Sequence, residues 1–148
     1  MQYSIGQAGR TVVARLENNE PIYESILTIC QKEKIINAAV WIIGGVQKAG
    51  VVVGLENQND LYSDPVVKNF DTAREILGIG TVFPDENNDL ILHLHAGIGT
   101  KKESIIGCPR INANCWLINE IVILELKGIE AKRIKDVNSQ FKLLQLIK

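Results

Sequence analysis

The chain has 148 residues, of which 46% are hydrophobic and 22% are charged, and its formal net charge at pH 7 is −1. This composition is typical of a globular protein, and the length allows a buried core, so we expect a single domain over residues 1–148. No apolar run is long enough to cross a bilayer, the N-terminus does not resemble a secretory signal, and the near-zero charge argues against a protein coated by nucleic acid.

The first part of the chain predicts a strand followed by one helix. Residues 10–16 are rich in β-branched side chains, which favours a strand. Pro21 suits the first turn of a helix over residues 21–34, because its missing N–H has no helical partner there. The apolar side chains of this helix recur at helical spacing and are Ile22, Ile26, Ile29 and Cys30. The helix is therefore expected to pack on a sheet, with Cys30 as a core residue.

The middle of the chain predicts strands joined by a turn and a loop. Residues 37–46 form a nearly continuous apolar run, which favours a strand covered on both faces. The polar dipeptide at 47–48 is expected to turn the chain into a second strand at 49–55. Residues 56–72 are polar and contain Pro65, so we expect a loop with at most a short irregular strand.

The second half of the chain predicts further strands. Residues 73–83 are expected to form one strand, and a glycine-rich hairpin leads to a short strand at 104–107. Residues 114–126 are apolar on both faces, so one covering layer of this long strand is expected from another subunit. The segments 131–137 and 139–146 predict a closing pair. About seven strands and one main helix indicate an α+β domain with a mainly antiparallel sheet.

The two histidines of the chain lie two positions apart on a predicted strand at residues 89–96. Side chains two apart on a strand point to the same face, so His93 and His95 leave the sheet together. If the chain folds back after the following turn, the Cys108 thiolate converges with both imidazoles. Such a set fits a zinc-like ion with an open fourth position. The alternative is a pair of hydrogen-bonded histidines, with Cys108 as a buried turn residue.

Cysteine usage bears on the compartment of the protein. The chain has three cysteines, at positions 30, 108 and 115. This odd and sparse set does not predict a disulfide framework, which favours the reducing cytoplasm.

The charge is unevenly distributed along the chain. Residues 1–95 hold 7 Lys/Arg and 12 Asp/Glu, whereas residues 96–148 hold 9 and 5. One interpretation of the basic part is a small patch that binds an anion or a phosphate, and the simpler one is a set of solvated loops and strand faces. The candidate contacts to an anion are Arg110, Lys132, Arg133 and Lys135.

Glu120 is an acidic residue within an apolar stretch, where an unpaired carboxylate is costly. It has three interpretations. The carboxylate pairs with a basic residue at a subunit interface, it orients a metal-ligating imidazole without binding the metal itself, or it faces solvent at the end of a strand.

Five short segments, taken in order, resemble the PPC domain, which is conserved in plants and prokaryotes. They are AVWIIGGV at 39–46, EILGIGT at 75–81, HLHA at 93–96, IGC at 106–108 and EIVI at 120–123. The domain is shared by prokaryotic stand-alone proteins and plant AT-hook nuclear proteins. The resemblance covers nearly the whole chain, and it implies an antiparallel sheet with a packed helix, assembled as a homotrimer.

The resemblance also implies a metal site and a partner. Many prokaryotic relatives look like metal binders through a His-x-His pair and a third histidine after a glycine turn. His93 and His95 match the pair, and Cys108 takes the third position. Prokaryotic members are often labelled as predicted DNA-binding proteins, although the plant DNA contacts come largely from the AT-hook. This chain has no Arg-Gly-Arg-Pro core of an AT-hook, which argues against direct DNA binding.

Three functions are compatible with these features. The preferred one is a homotrimeric binding and assembly module that holds zinc or a similar divalent metal. The second is a DNA-associated transcriptional regulator, which needs a continuous basic face on the trimer. The third is a metal-dependent enzyme that uses the open coordination position. The sequence contains no nucleophile–base constellation, Walker loop or cofactor fingerprint, so it supports no specific reaction.

Overall fold

The computed structural model describes residues 1–147, which form eight strands and one helix. The elements are β1 (Gln7–Glu17), α1 (Ile22–Lys32), β2 (Ala38–Leu55), β3 (Pro65–Phe70), β4 (Arg74–Pro84), β5 (Leu90–Gly99), β6 (Ser104–Lys127), β7 (Ala131–Lys135) and β8 (Lys142–Leu146). All named strand pairs are antiparallel. The predicted α+β class with one main helix is confirmed, with eight strands where about seven were expected.

Four strands pair in a closed ring at the centre of the fold. β2 pairs with β4, β4 with β5, β5 with β6, and β6 again with β2. β1 adds to β6, and β3 adds to the second half of β2. β2 and β6 make several pairings each because they are the longest strands, at 18 and 24 residues. The ring therefore has an inner side, which must be filled, and an outer side.

Helix α1 packs against the inner side of the sheet, where it contacts β5 and β6. Its buried residues are Ile22, Ile26 and Cys30, which lie about one turn apart. Pro21 precedes the helix in an extended conformation, and Lys34 follows it with a φ of +56°. A left-handed residue at this position ends a helix. Among residues 1–147, no helix is long and apolar enough to cross a membrane.

Three predicted connections differ from the structure. No turn interrupts residues 47–48, because β2 continues through them, with register shifts in its pairing with β6. β6 likewise runs unbroken where two strands were expected. Its bulges fall at Asn112 and Leu117, whose φ values are +52° and +63°. β3 forms a regular strand inside the polar segment at 56–72 that was expected to be mainly a loop.

The outer side of the ring carries an exposed apolar surface. Its members, called the outer face below, are Val13, Trp41, Ile43, Leu77, Ile79 and Val122. The sequence predicts that residues 37–46 and 114–126 are covered on both faces. One face of each segment stays open in the single chain. The prediction is therefore wrong for 37–46 within one chain, whereas for 114–126 a second covering layer was expected from another subunit. Side chains such as Leu77 and Ile79, which are 66% and 63% exposed, are available for contact with another chain.

β7 and β8 form a separate hairpin, as the closing segments of the sequence predict, and it lies against the end of β4. Lys142 Nζ donates to Asp85 Oδ2 at 2.7 Å, and Arg133 Nη2 donates to Thr81 Oγ1 at 2.8 Å. These polar contacts hold the hairpin where Thr81 pairs with the first histidine of β5. The hairpin thereby becomes one wall of the candidate site.

Candidate metal centre

The two histidines project from β5 on the side opposite to the core. Leu92, Leu94 and Ala96 alternate with them and are buried, as the period of a strand requires. His93 Nε2 lies 3.1 Å from His95 Nε2, and the two rings meet edge to face. The structure therefore brings together the two imidazoles that the sequence singled out.

This spacing is suitable for binding one metal ion. Zinc–imidazole bonds of 2.0–2.1 Å at a tetrahedral angle place two ligating nitrogens about 3.3 Å apart. The observed 3.1 Å between the Nε2 atoms is close to that value. Two nitrogens without an attractive interaction would lie farther apart. A hydrogen bond between the two rings, or one metal ion bound by both, therefore accounts for the distance. The donor set fits zinc or a similar metal.

The electrostatic surroundings of His93 favour the neutral imidazole that metal binding requires. Burial lowers the pKa of His93, and the positive charges of Arg133, His95 and Arg110 lower it further. A neutral ring has a free lone pair for a metal, whereas a protonated ring has none.

Cys108 lies beside the histidines, because it lines the same cavity as both of them. Pairing between β5 and β6 ends at Ala96 and Gly107, and Cys108 then pairs with Val52 of β2. The diverging strands leave a cavity of about 360 Å³ that His93, His95, Cys108 and Arg110 all line. The part of the chain that the structure describes holds no ready cluster of three metal-ligating side chains.

Tyr23 of α1 contacts the Cys108 thiol. Its hydroxyl lies 3.5 Å from Cys108 Sγ and donates to Leu94 O at 3.3 Å. Burial raises the pKa of Tyr23, so the phenol keeps its proton. The sequence pattern did not single out Tyr23, because the contact joins α1 to β5 and β6, which are distant in the chain.

The basic residues proposed as anion contacts do not form one patch. Arg133 is buried and Lys132 donates to Asn88 Oδ1 at 2.8 Å, whereas Lys135 is exposed. Adjacent residues on a strand point to opposite faces, which separates Lys132 from Arg133. Arg110 is exposed and is the one of the four that lines the histidine cavity. The structure therefore brings Arg110 and Arg133, but not the two lysines, to the site.

Glu120 does not line the histidine cavity. It is exposed on β6, where it lies opposite Ile43 of β2, and it lines a separate groove with Glu75. Of its three interpretations, this position is the one expected for a solvent-facing carboxylate in the single chain. The residues that the sequence analysis missed are Tyr23, Gln140 and Phe141, which line or support the site from elements far away in the chain.

Solved structures with the same fold come from several microorganisms. A "metal-containing protein" from Archaeoglobus fulgidus has a TM-score of 0.84 and 19% identity, with 100% of both chains covered. A plant- and prokaryote-conserved (PPC) protein from Pyrococcus horikoshii has a TM-score of 0.83 and 23% identity, covering 100% of this chain and 99% of its own. A "putative dna binding protein" from Bacteroides thetaiotaomicron has a TM-score of 0.74 and 13% identity, covering 97% and 99%.

These similarities confirm the fold alone, because the sequence identities are too low to transfer a function. No curated protein sequence matches the chain. The sequence model of the Plants and Prokaryotes Conserved (PCC) domain, the family written above as PPC, matches residues 3–127. That match covers most of the chain, and the resemblance drawn from the five segments is confirmed. The chain belongs to the Plants and Prokaryotes Conserved domain family.

Proposed function

We propose that the protein is a cytoplasmic, homotrimeric PCC-domain module, with one domain over residues 1–148, that binds a zinc-like metal ion. The observation that carries this proposal is the 3.1 Å approach of His93 Nε2 and His95 Nε2 at the wall of a cavity. The three cysteines at 30, 108 and 115 are free and buried, which suits a reducing compartment.

His93 and His95 are the first two ligands of the proposed metal, and Cys108 is the third. Cys108 lines the same cavity as both histidines, and its only described side-chain partner is the weak contact with Tyr23. A bound divalent ion supplies a Lewis acid with one position open to water or to another small ligand. The description of the Archaeoglobus fulgidus relative as metal-containing supports this assignment.

The area and the apolar character of the exposed surface support the assembly of several copies of the chain. The single chain exposes 9101 Å² of surface, whereas a compact monomer of 16.4 kDa exposes about 7,500 Å². The outer face contributes to this excess with large apolar side chains, including Trp41 and Ile43. Contiguous exposed apolar patches mark contact sites between proteins. Copies of this chain that cover one another's outer face would bury the surface.

The metal content of the untagged protein, measured by mass spectrometry after dialysis, tests the metal site. We expect about one ion per chain, because the proposed ligands come from one chain. His93→Ala and His95→Ala should each lower zinc affinity by more than about 100-fold, the upper range for residues that only support a ligand. Cys108→Ala should lower it as well.

Cys30→Ala is the matched control, since Cys30 is a buried thiol of α1 and lies outside the cavity. This variant should keep the metal of the original protein. Absence of metal after addition of zinc would contradict the proposal, as would full retention of metal in both histidine variants. Retention in Cys108→Ala alone would remove only that residue from the ligand set.

Association with DNA is the second candidate function, because the Bacteroides thetaiotaomicron relative carries that description. A DNA-binding surface needs basic side chains that reach phosphates together. Lys135 is exposed, whereas Arg133 is buried and Lys132 is bonded to Asn88. A mobility-shift titration with mixed duplex DNA at low salt tests this candidate. A shift that weakens with added salt and with Lys135→Gln supports DNA binding, and no shift at low salt excludes it.

A further inference from the structure

Arg133 is a buried guanidinium whose hydrogen-bonding capacity is largely unused. The residue is 5% exposed and lies on the inward side of β7. Its Nη2 donates to Thr81 Oγ1 at 2.8 Å, while its Nε has no hydrogen-bond partner in the described structure. A guanidinium offers five N–H donors in a rigid fork, so most of this fork lacks a described protein acceptor.

No carboxylate neutralises this charge within residues 1–147. Asp85 neighbours Arg133 in the sheet, because the two residues form an isolated β-bridge. Its Oδ1 accepts from the backbone N–H groups of Asn87 and Asp89, and its Oδ2 accepts from Lys142. Asp85 is therefore fully engaged elsewhere. A buried cation without a counter-ion is unfavourable, so an anion from outside the chain would stabilise the site.

The guanidinium lines a cavity of about 520 Å³. The polar part of its wall includes Arg133, Arg110, His93, Gln140 and Lys142. The apolar part includes Phe141 and Leu144 of the hairpin. Arg110 also makes no ion pair within the described residues.

We propose that this cavity, between the β7–β8 hairpin and β5, binds a small organic carboxylate. Its carboxylate accepts hydrogen bonds from Arg133 and Arg110, and its apolar body lies against Phe141 and Leu144. A planar guanidinium matches the two oxygens of a carboxylate, and an apolar wall excludes the water that would weaken the pairing. The hairpin lies beyond residues 3–127, so this wall lies outside the family match.

The anion site does not depend on the proposed metal. Its charged groups are Arg110, Arg133 and Lys142, and only the two arginines lack an ion pair within the described residues, because Lys142 contacts Asp85 and Glu86. All three are present without an ion at His93 and His95. A carboxylate that occupies the cavity also lies next to His93, because that residue lines both cavities. Binding therefore has to be measured on metal-free protein and again after zinc is added.

Benzoate and its neutral analogue benzamide are the probes that test this proposal. The full chain is labelled with ¹⁵N, freed of metal on a chelating resin, and held in a Bis-Tris buffer without organic anions. The readout is the Arg133 Nε–H resonance, assigned by its loss in Arg133→Gln. We expect benzoate to shift this resonance in a saturable manner, and benzamide at equal concentration to leave it unchanged.

Arg110→Gln provides a second variant that keeps the buried arginine and the fold. It should weaken benzoate binding about tenfold, the range for one charge-assisted hydrogen bond. Lys68→Gln is the matched control, because Lys68 is exposed on β3 and lies outside the cavity. It should leave the affinity within about twofold, as expected for a surface charge.

Three results would overturn the anion site. They are an Arg133 resonance that does not respond to benzoate, an equal response to benzamide, and binding of benzoate only after zinc has been added. The last result would mean that the metal, and not the arginines, holds the carboxylate. Saturable binding to metal-free protein supports the site even if no metal binds to the histidines.

Discussion

Ile79 of β4 lies directly opposite His95 of β5 in the sheet. Ile79 is in turn opposite Trp41 of β2, which lies opposite Val122 of β6. These residues form one cross-strand row on the outer face, and the row ends at an imidazole of the proposed metal site. A partner chain that covers the outer face would therefore lie close to the histidines. Assembly of the chains would then affect the surroundings of the proposed metal site.

Ile79→Asp should prevent assembly. A carboxylate in the middle of a buried apolar contact would lose its hydration without a partner, which is strongly unfavourable. Light scattering should give about three times the chain mass of 16.4 kDa for the original protein and a single chain mass for the variant. Far-UV circular dichroism should be unchanged, because Ile79 is 63% exposed and contributes little to the core.

Val137→Asp is the control for this variant, since Val137 is an exposed apolar residue in the turn of the β7–β8 hairpin. It should leave the mass of the assembly unchanged. A monomeric original protein would contradict the homotrimer, and an Ile79→Asp variant that still forms trimers would place the contact on another surface.

Gly44 is required by the bulge of β2. Its φ is +134°, and a Cβ at this position would clash with the backbone carbonyl of Ile118. Gly44→Ala should therefore lower the free energy of unfolding by about 1–3 kcal/mol, the range for a strained backbone position. Urea denaturation at neutral pH measures the difference.

Gly97→Ala is the matched substitution in β5. A Cβ there meets no atom closer than 4.0 Å, and its φ lies outside the left-handed region. The free energy of unfolding should change by less than about 0.5 kcal/mol, or rise slightly, because alanine loses less backbone entropy. Equal losses for the two variants would show that the bulge is not the cause.

The same bulges explain why part of the fold escaped prediction. Apolar periodicity identified the helix, the strand character of most segments and the shared face of His93 and His95. It placed a turn at residues 47–48, since two polar residues between apolar runs usually mark a connection. In the structure Lys48 is an exposed residue within β2, and the register shifts beside it depend on pairing with β6. Such long-range pairing has no local signature.

The candidate site was predicted in part for similar reasons. The spacing of His93 and His95 is a property of a single strand, so the sequence alone predicted their common face. The period of a strand also separates Lys132 from Arg133, but it does not tell which of the two faces inward, since Ile134 shares the face of Lys132. The contact of Cys108 with Tyr23 could not be predicted, because it depends on how α1 crosses the diverging strands.

Asp85 anchors the β7–β8 hairpin, and its substitution should loosen this element selectively. The pKa of Asp85 is lowered, chiefly by the hydrogen bond from Lys142 and also by the backbone N–H groups of Asn87 and Asp89. Asp85→Asn removes the charge that Lys142 contacts and places an amide where acceptors are needed. Hydrogen exchange of β7 and β8 should become faster, with little change in β2.

Glu86→Gln is the control for this prediction, because Glu86 also contacts Lys142, at 3.4 Å, but is partly exposed and accepts no backbone N–H group. It should change the exchange of the hairpin much less than Asp85→Asn does. Faster exchange throughout the sheet in Asp85→Asn would indicate global destabilisation instead of a local anchor.

Arg10 and Glu125 should give the protein a stability that is lost in acid. Arg10 Nε and the Arg10 backbone N–H both donate to Glu125 Oε2 at 3.0 Å, and Arg10 Nη2 donates to Glu33 O at 2.7 Å, which ties β1 to the end of α1. The hydrogen bonds from Arg10 lower the pKa of Glu125 from 4.5 to about 2. The ionised carboxylate is therefore favoured in the folded chain relative to the unfolded chain.

Because the folded pKa lies below the unfolded one, this contribution is fully present above pH 4.5 and is lost as the pH falls towards 2. Glu125→Gln should be less stable than the original protein at pH 7, and the difference in the free energy of unfolding should shrink between pH 4.5 and pH 2. Glu17→Gln, which removes the exposed partner of Arg15, should have a much smaller effect. Urea denaturation over this pH range tests the prediction, and a constant difference between Glu125→Gln and the original protein would show that the Glu125 carboxylate is not the titrating group.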